Sequence, residues 1–373
     1  MKSSPDHIDF LDIFRGVAVF AVFLFHCLNS SFGDNLPWDG IIRDYRYSDT
    51  LLFLLPFTYG KMAVALFFVI SGFCIHLSFQ KNHADGFKPF FIRRFWRIYP
   101  PYLMALLFFA FVLPVSRISY SGTGWLDFFV HVLSLQNFFE TDFYAINPSF
   151  WSIAVEVQLY LLYPVLLVLI KRLGWTRALC LLALIEGSIR VITGITQTWS
   201  QPLPRWFTDM PLAYWFSWTL GAWLADAYIN RQEPSLAKLP LWPWLILMIV
   251  SYQVKPLEPL TFLFAALTTF VIFSRLLSGS IKLPISSSFA VVHLRQAGLW
   301  SYSIYLLHQP FLMMIPWLKA RYITGVAVHP LVTFAACLLL WPAVVLLANL
   351  FYRYVEVPSI NFGKGFLKSA SGK

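Results

Sequence analysis

Long apolar runs separated by short polar breaks set the first reading of the 373-residue chain. Ten such runs stand out, at approximately 11–31, 61–80, 98–115, 149–170, 176–194, 211–228, 239–254, 259–277, 297–317 and 330–352. Each comes close to the roughly 20 residues a helix needs to cross a bilayer core. The pattern predicts an all-α fold, a polytopic transmembrane helical bundle of about ten spans. Two shorter apolar runs, 51–58 and 125–140, predict extra re-entrant or interfacial helices. No internal repeat and no Gly/Ser- or Pro-rich linker divides the chain. Residues 1–373 are therefore expected to form a single integral membrane domain with no appended soluble domain.

The polar breaks give the orientation. With the N-terminus in the cytoplasm, Lys2, the cluster Lys81, Lys88, Arg93, Arg94 and Arg97, and Lys171, Arg172 and Arg177 fall on the cytoplasmic side. The acids Asp34, Asp39, Asp44 and Asp49 fall outside. Basic residues then favour the inside by roughly two to one, which puts both termini in the cytoplasm. The segment before Arg15 has three Asp and one Lys, a poor start for a signal peptide, so the first run is expected to stay as a helix.

Composition agrees: 58% of residues are hydrophobic and 12% charged, against about 25% charged in soluble proteins. The net charge of +10 is accounted for by basic residues kept on the cytoplasmic side, and no nucleic-acid motif accompanies it. Cys27, Cys74, Cys180 and Cys337 lie far apart in apolar runs, without metal-ligand spacing, so no metal site is expected.

Ionisable groups inside apolar runs are costly and mark functional candidates. The first run carries Asp12, Arg15 and His26. Arg15 and His26 are separated by about three helical turns, which puts them on one face roughly 16 Å apart. The stretch KPFFIRRFWRIYPP brings Arg93, Arg94 and Arg97 together at i, i+3 and i, i+4, a patch suited to phosphates. Asn147-Pro148 opens the run PSFWSIAVEVQLYLLYP as cap and first turn, with Trp151 and Ser152 near its start. Glu156 then lies about 13 Å in, at a depth from which it can orient His26 or bind a sugar hydroxyl. Tyr305 and His308 sit i, i+3 in the ninth run, and Glu356 near the end of the last. Glu186 and Arg190 read as a local i, i+4 ion pair, Ser71-Gly72 as a close helix contact and His76 as a packed histidine.

Six motifs in order, LDIFRGVAVFAVFLFH, FFVISGF, RRFWRIYP, NPSFWSIAVEVQLYLLYP, SYSIYLLHQP and VEVP, together resemble acyltransferase family 3. These are integral membrane O-acyltransferases that include O-antigen and peptidoglycan acetylases. The resemblance covers nearly the whole chain. It implies transfer of an acyl group, usually acetyl from acetyl-CoA, to a glycan, lipid-linked sugar or other hydroxyl acceptor, in a bacterial inner membrane. It maps the family's Arg–His pair to Arg15 and His26, its RxxR motif to Arg94 and Arg97, and its acidic residues to Asp12, Glu156 and Glu356.

The residue types suit that chemistry. A positioned imidazole can take the proton of an attacking alcohol, and its conjugate acid can return it to the leaving thiolate. Arg93, Arg94 and Arg97 would hold the phosphates of the donor, acyl-CoA. Direct transfer and an acyl-His26 intermediate both fit. A secondary transporter of an anionic solute would also carry intramembrane Arg, His and Glu, although transporters often show repeats that this chain lacks.

Overall fold

The computed structural model describes residues 8–33, 40–43, 49–81, 86–113, 124–141, 143–282, 288–323 and 328–371. Lys2, Asp34, Asp39 and Asp44, used above for orientation, lie outside them. Among the described residues every named element is helical, and an isolated bridge pairs Ile42 with Val254. Among the described residues, five helices are long and apolar enough to cross a membrane: Phe10–Phe32, Leu54–Lys81, Phe150–Trp199, Lys255–Leu277 and Pro330–Ser369. The other apolar runs fold as shorter or more polar helices, and the expected count of about ten spans goes beyond these five candidates.

The elements that build the interior are α1 (Asp9–Phe32), α2 (Asp49–Thr58), α3 (Ala63–Lys81), α4 (Phe87–Phe111), α5 (Gly124–Val132) and α6 (Phe150–Trp199). They are followed by α7 (Arg205–Thr208), α8 (Trp215–Ile229), α9 (Trp242–Gln253), α10 (Thr261–Leu277), α11 (Phe289–Leu299), α12 (Ser301–Tyr322), α13 (Pro330–Leu339), α14 (Trp341–Phe351) and α15 (Val357–Ser371). The two short apolar runs appear as α2 and α5, of 10 and 9 residues, too short to span. Helix α4 starts well before the predicted 98–115 run, so the arginine-rich stretch forms its first turns.

Helix α6 joins two predicted runs. A straight helix of its 50 residues would measure about 75 Å, more than twice the bilayer core. The chain breaks at Gly174, with φ 74° and ψ 165°, a conformation open essentially only to glycine. The break falls in the polar gap between the two runs.

Helices α3 and α8 cross at backbone distance. A Cβ on Gly72 would sit 2.0 Å from the carbonyl oxygen of Trp218, and one on Gly221 2.0 Å from that of Val69. Small residues allow this approach in membrane helices. The crossing brings Ser71 up to the Trp218 indole, whose Nε1 donates to Ser71 Oγ at 3.2 Å. Gly72→Ala is expected to lower thermal stability by about 1–3 kcal/mol, because backbone cannot retreat as a side chain can. Gly187 has open space around it and serves as the control. Melting of both variants in detergent checks this: Gly187→Ala should melt like the parent.

Candidate active site

Two cavities meet inside the bundle. The first, of about 130 Å³, is lined by Arg15 from α1, Ser71 and Cys74 from α3, Arg94 and Arg97 from α4, Ser152, Glu156 and Tyr160 from α6, and Tyr302 and Tyr305 from α12. Five helices thus deliver polar groups to one apolar-walled pocket. Three cations and one carboxylate, Glu156, line it.

Arg15 is held on both sides. Its Nη1 donates to Asp12 Oδ1 at 2.9 Å, and its Nη2 to Cys74 Sγ at 3.0 Å. Asp12 is almost wholly buried. The i, i+3 spacing on α1 therefore fixes the guanidinium, and Cys74 ties it to α3. Arg94 differs. Its guanidinium carbon lies 5.8 Å above the Phe90 ring, and its buried Nε has no hydrogen-bond partner. No carboxylate lies within ion-pair distance of Arg94 or Arg97 among the described residues. Unmatched donors at a cavity wall suit an anion with several oxygens.

Glu156 accepts from Ser71 Oγ at 2.6 Å and from the Tyr160 hydroxyl. The Ser152 and Tyr305 hydroxyls are hydrogen-bonded at 2.6 Å. Tyr302 donates to the Ile98 carbonyl at 2.8 Å, fastening α12 to the arginine-bearing turns of α4. Glu356 is buried next to this group and accepts from Ser303 Oγ at 2.7 Å.

The second cavity is larger, about 720 Å³. His26 lines it, with Trp151, Lys61, Arg190, Arg205 and Glu258 among the other groups. Its charges are tied in pairs: Lys61 to Glu258 at 3.0 Å and Arg205 to Asp209 at 3.6 Å. Arg190 pairs with Glu186 at 2.9 Å, and lies over Tyr214 and Phe262. The Trp151 ring stacks on Phe143 with centroids 6.0 Å apart. Flat aromatic faces beside fixed polar groups suit a polyhydroxylated ring. Tyr305 and Val64 line both cavities and form the wall they share.

The candidates from sequence divide accordingly. Arg15, Arg94, Arg97, Glu156, Ser152 and Tyr305 meet in the small cavity; His26, Trp151 and again Tyr305 border the large one. His308 stands behind His26, with ring centroids 5.2 Å apart. One expectation is corrected. Glu156 does not orient His26: it accepts from Ser71 on α3 and from Tyr160 one turn along α6. Arg93 lines neither cavity, although it lies one turn before Arg97 on the same face of α4. Arg190 forms the expected pair with Glu186 and also borders the large cavity. Ser71, Tyr160 and Tyr302 were not among the candidates. Tyr160, one turn beyond Glu156, was findable as an i, i+4 hydroxyl. His76 is packed as expected, with the Tyr163 hydroxyl 3.0 Å from its Nδ1.

A family model described as an acyltransferase domain, that of acyltransferase family 3, matches residues 8–348. Peptidoglycan O-acetyltransferase OatA of Listeria monocytogenes serovar 1/2a is 26% identical, over 98% of this chain and 58% of that protein. Acyltransferase MdmB of Streptomyces mycarofaciens is 23% identical, over 79% of this chain and 76% of that protein. The chain thus spans little more than half the length of the Listeria relative. No solved structure matches it.

Proposed function

This chain belongs to acyltransferase family 3, and on that premise we propose that it moves an acyl group, in the first instance acetyl, from cytoplasmic acyl-CoA to a hydroxyl of a glycan or related acceptor across the membrane. It is an acyltransferase and an integral membrane protein. About ten spans, with both termini in the cytoplasm of a bacterial inner membrane, would put the arginine-rich turns of α4 on the donor side.

One observation carries the reading: the cavity of unmatched arginines and the chamber of His26 are separate but share the Tyr305 wall. A pocket of about 130 Å³ is well below the roughly 300–1,000 Å³ of a site that encloses a whole drug-sized ligand. It suits the acyl-bearing tip of the donor, with the phosphates outside against Arg97, Arg94 and Arg93. The chamber of about 720 Å³ suits the acceptor.

In this reading the thioester carbonyl reaches the Tyr305 wall. His26 takes the proton of the acceptor hydroxyl as its oxygen bonds to the carbonyl carbon. The carbon–sulfur bond breaks, and the imidazolium returns the proton to the CoA thiolate. Arg15, fixed by Asp12, lines the donor's path. Glu156, held by Ser71 and Tyr160, balances the arginines of the donor pocket.

Charge removal tests the donor assignment. The double variant Arg94→Ala/Arg97→Ala is expected to weaken acetyl-CoA binding by about 10- to 100-fold, the worth of one or two charged hydrogen bonds. The KM for acceptor should stay as in the parent. Calorimetric titration in nanodiscs, with acceptor kinetics alongside, checks both. Equal weakening toward donor and acceptor would count against a donor site at these arginines.

A further inference from the structure

His308 is fully enclosed, one turn beyond Tyr305 on α12. Its Nδ1 lies 2.9 Å from the Tyr305 carbonyl oxygen and 3.2 Å from that of Ile304. Carbonyl oxygens only accept, so Nδ1 bears the hydrogen and Nε2 the lone pair. That Nε2 is buried and has no hydrogen-bond partner. A buried acceptor without a partner calls for an explanation, and a role in catalysis is among the recognised ones.

The ring that faces it is His26. The two centroids are 5.2 Å apart with planes inclined at 44°. No hydrogen bond joins the two rings here, but imidazoles linked by an N–H···N bond of about 2.9 Å have centroids about 5 Å apart, so the pair stands at the separation from which a turn of the His26 ring closes one. A base in a catalytic pair is commonly oriented by a third group. Glu156 does not serve as that group, being held by Ser71 and Tyr160 in the other cavity.

We propose that His308 is the positioning residue for His26. Its Nε2 accepts the N–H of one ring nitrogen of His26, which leaves the other nitrogen with its lone pair toward the large chamber. The backbone carbonyls of Ile304 and Tyr305 lock the tautomer of His308, and His308 in turn locks that of His26. A neutral imidazole does this without burying another ion in the bundle. The inference rests on the acyl-transfer reading and names the group that makes its base competent.

The test uses the full chain in nanodiscs, with acetyl-CoA as donor and a muropeptide digest as acceptor probe, reading release of CoA thiol. His308→Phe is expected to lower kcat by about 10- to 100-fold, the usual effect of losing an orienting partner, with KM for acetyl-CoA unchanged. His308→Gln, whose amide oxygen can accept in place of Nε2, is expected to recover most of that loss. If phenylalanine does not pack, His308→Leu makes the same comparison. Parent-like kcat in the apolar variant, or equal loss in the apolar and glutamine variants, overturns the positioning role. A parent protein that binds no acetyl-CoA overturns the acyl-transfer reading itself, and the inference with it.

Discussion

Replacing His26 with alanine is expected to lower acyl transfer by about 10²- to 10⁴-fold, the usual contribution of a positioned general base. Acetyl-CoA binding should remain at the parent level. The reason is spatial. His26 borders the large chamber, whereas Arg15, Arg94 and Arg97 border the small cavity on the far side of Tyr305. Removing the imidazole leaves the donor's cationic contacts intact. Single-turnover transfer and equilibrium donor binding, measured on the same preparation, separate the two effects. Transfer at the parent rate would remove His26 from the mechanism, and joint loss of binding would point to damage at the donor pocket.

The second large effect is on stability. Arg15→Met would leave the carboxylate of Asp12, with a side chain only 3% exposed, without its guanidinium. Breaking one side of a buried ion pair costs about 3–5 kcal/mol. The variant should accumulate poorly or melt far below the parent. Adding Asp12→Asn removes the buried charge, and the double variant should recover much of the fold while still transferring slowly. Thermal denaturation followed by size exclusion reads the first part, and donor titration the second. A single variant as stable as the parent would show that the pair does not hold α1.

What the sequence made legible follows from what periodicity encodes. Hydrophobic runs give the depth of a residue along its helix. Arg15, Ser152, Glu156 and Tyr305 were identifiable as costly or hydroxyl-bearing side chains in such runs, and Arg94 and Arg97 as a cationic cluster just before one; all six meet in one cavity. The azimuth of one helix against the next is set by packing. Glu156 was therefore placed at a reasonable depth but assigned to the wrong neighbour. The Gly72–Gly221 crossing turns Ser71 toward it, and only half of that crossing was visible as Ser71-Gly72. Lys61, Arg205 and Glu258 sit at helix ends or beyond them, where no periodic pattern singles them out.

The break of α6 at Gly174 illustrates the same division. Two apolar runs on either side of a polar gap were plain in the sequence, but their joining as one nearly continuous helix was not. The anion-transporter alternative, equally compatible with intramembrane Arg, His and Glu, yields to family membership across residues 8–348.

The central claim is that donor binding and proton transfer occupy two separable sites that meet at Tyr305. One measurement tests it most directly: release of CoA thiol from acetyl-CoA over a range of donor concentrations by the parent, His26→Ala and Arg94→Ala/Arg97→Ala proteins in nanodiscs. The account predicts opposite defects. His26→Ala should saturate at the parent's donor concentration but release almost no thiol, and the arginine variant should approach the parent's rate once donor is raised. If both variants lose rate and donor affinity together, the two cavities serve one site and the account is contradicted.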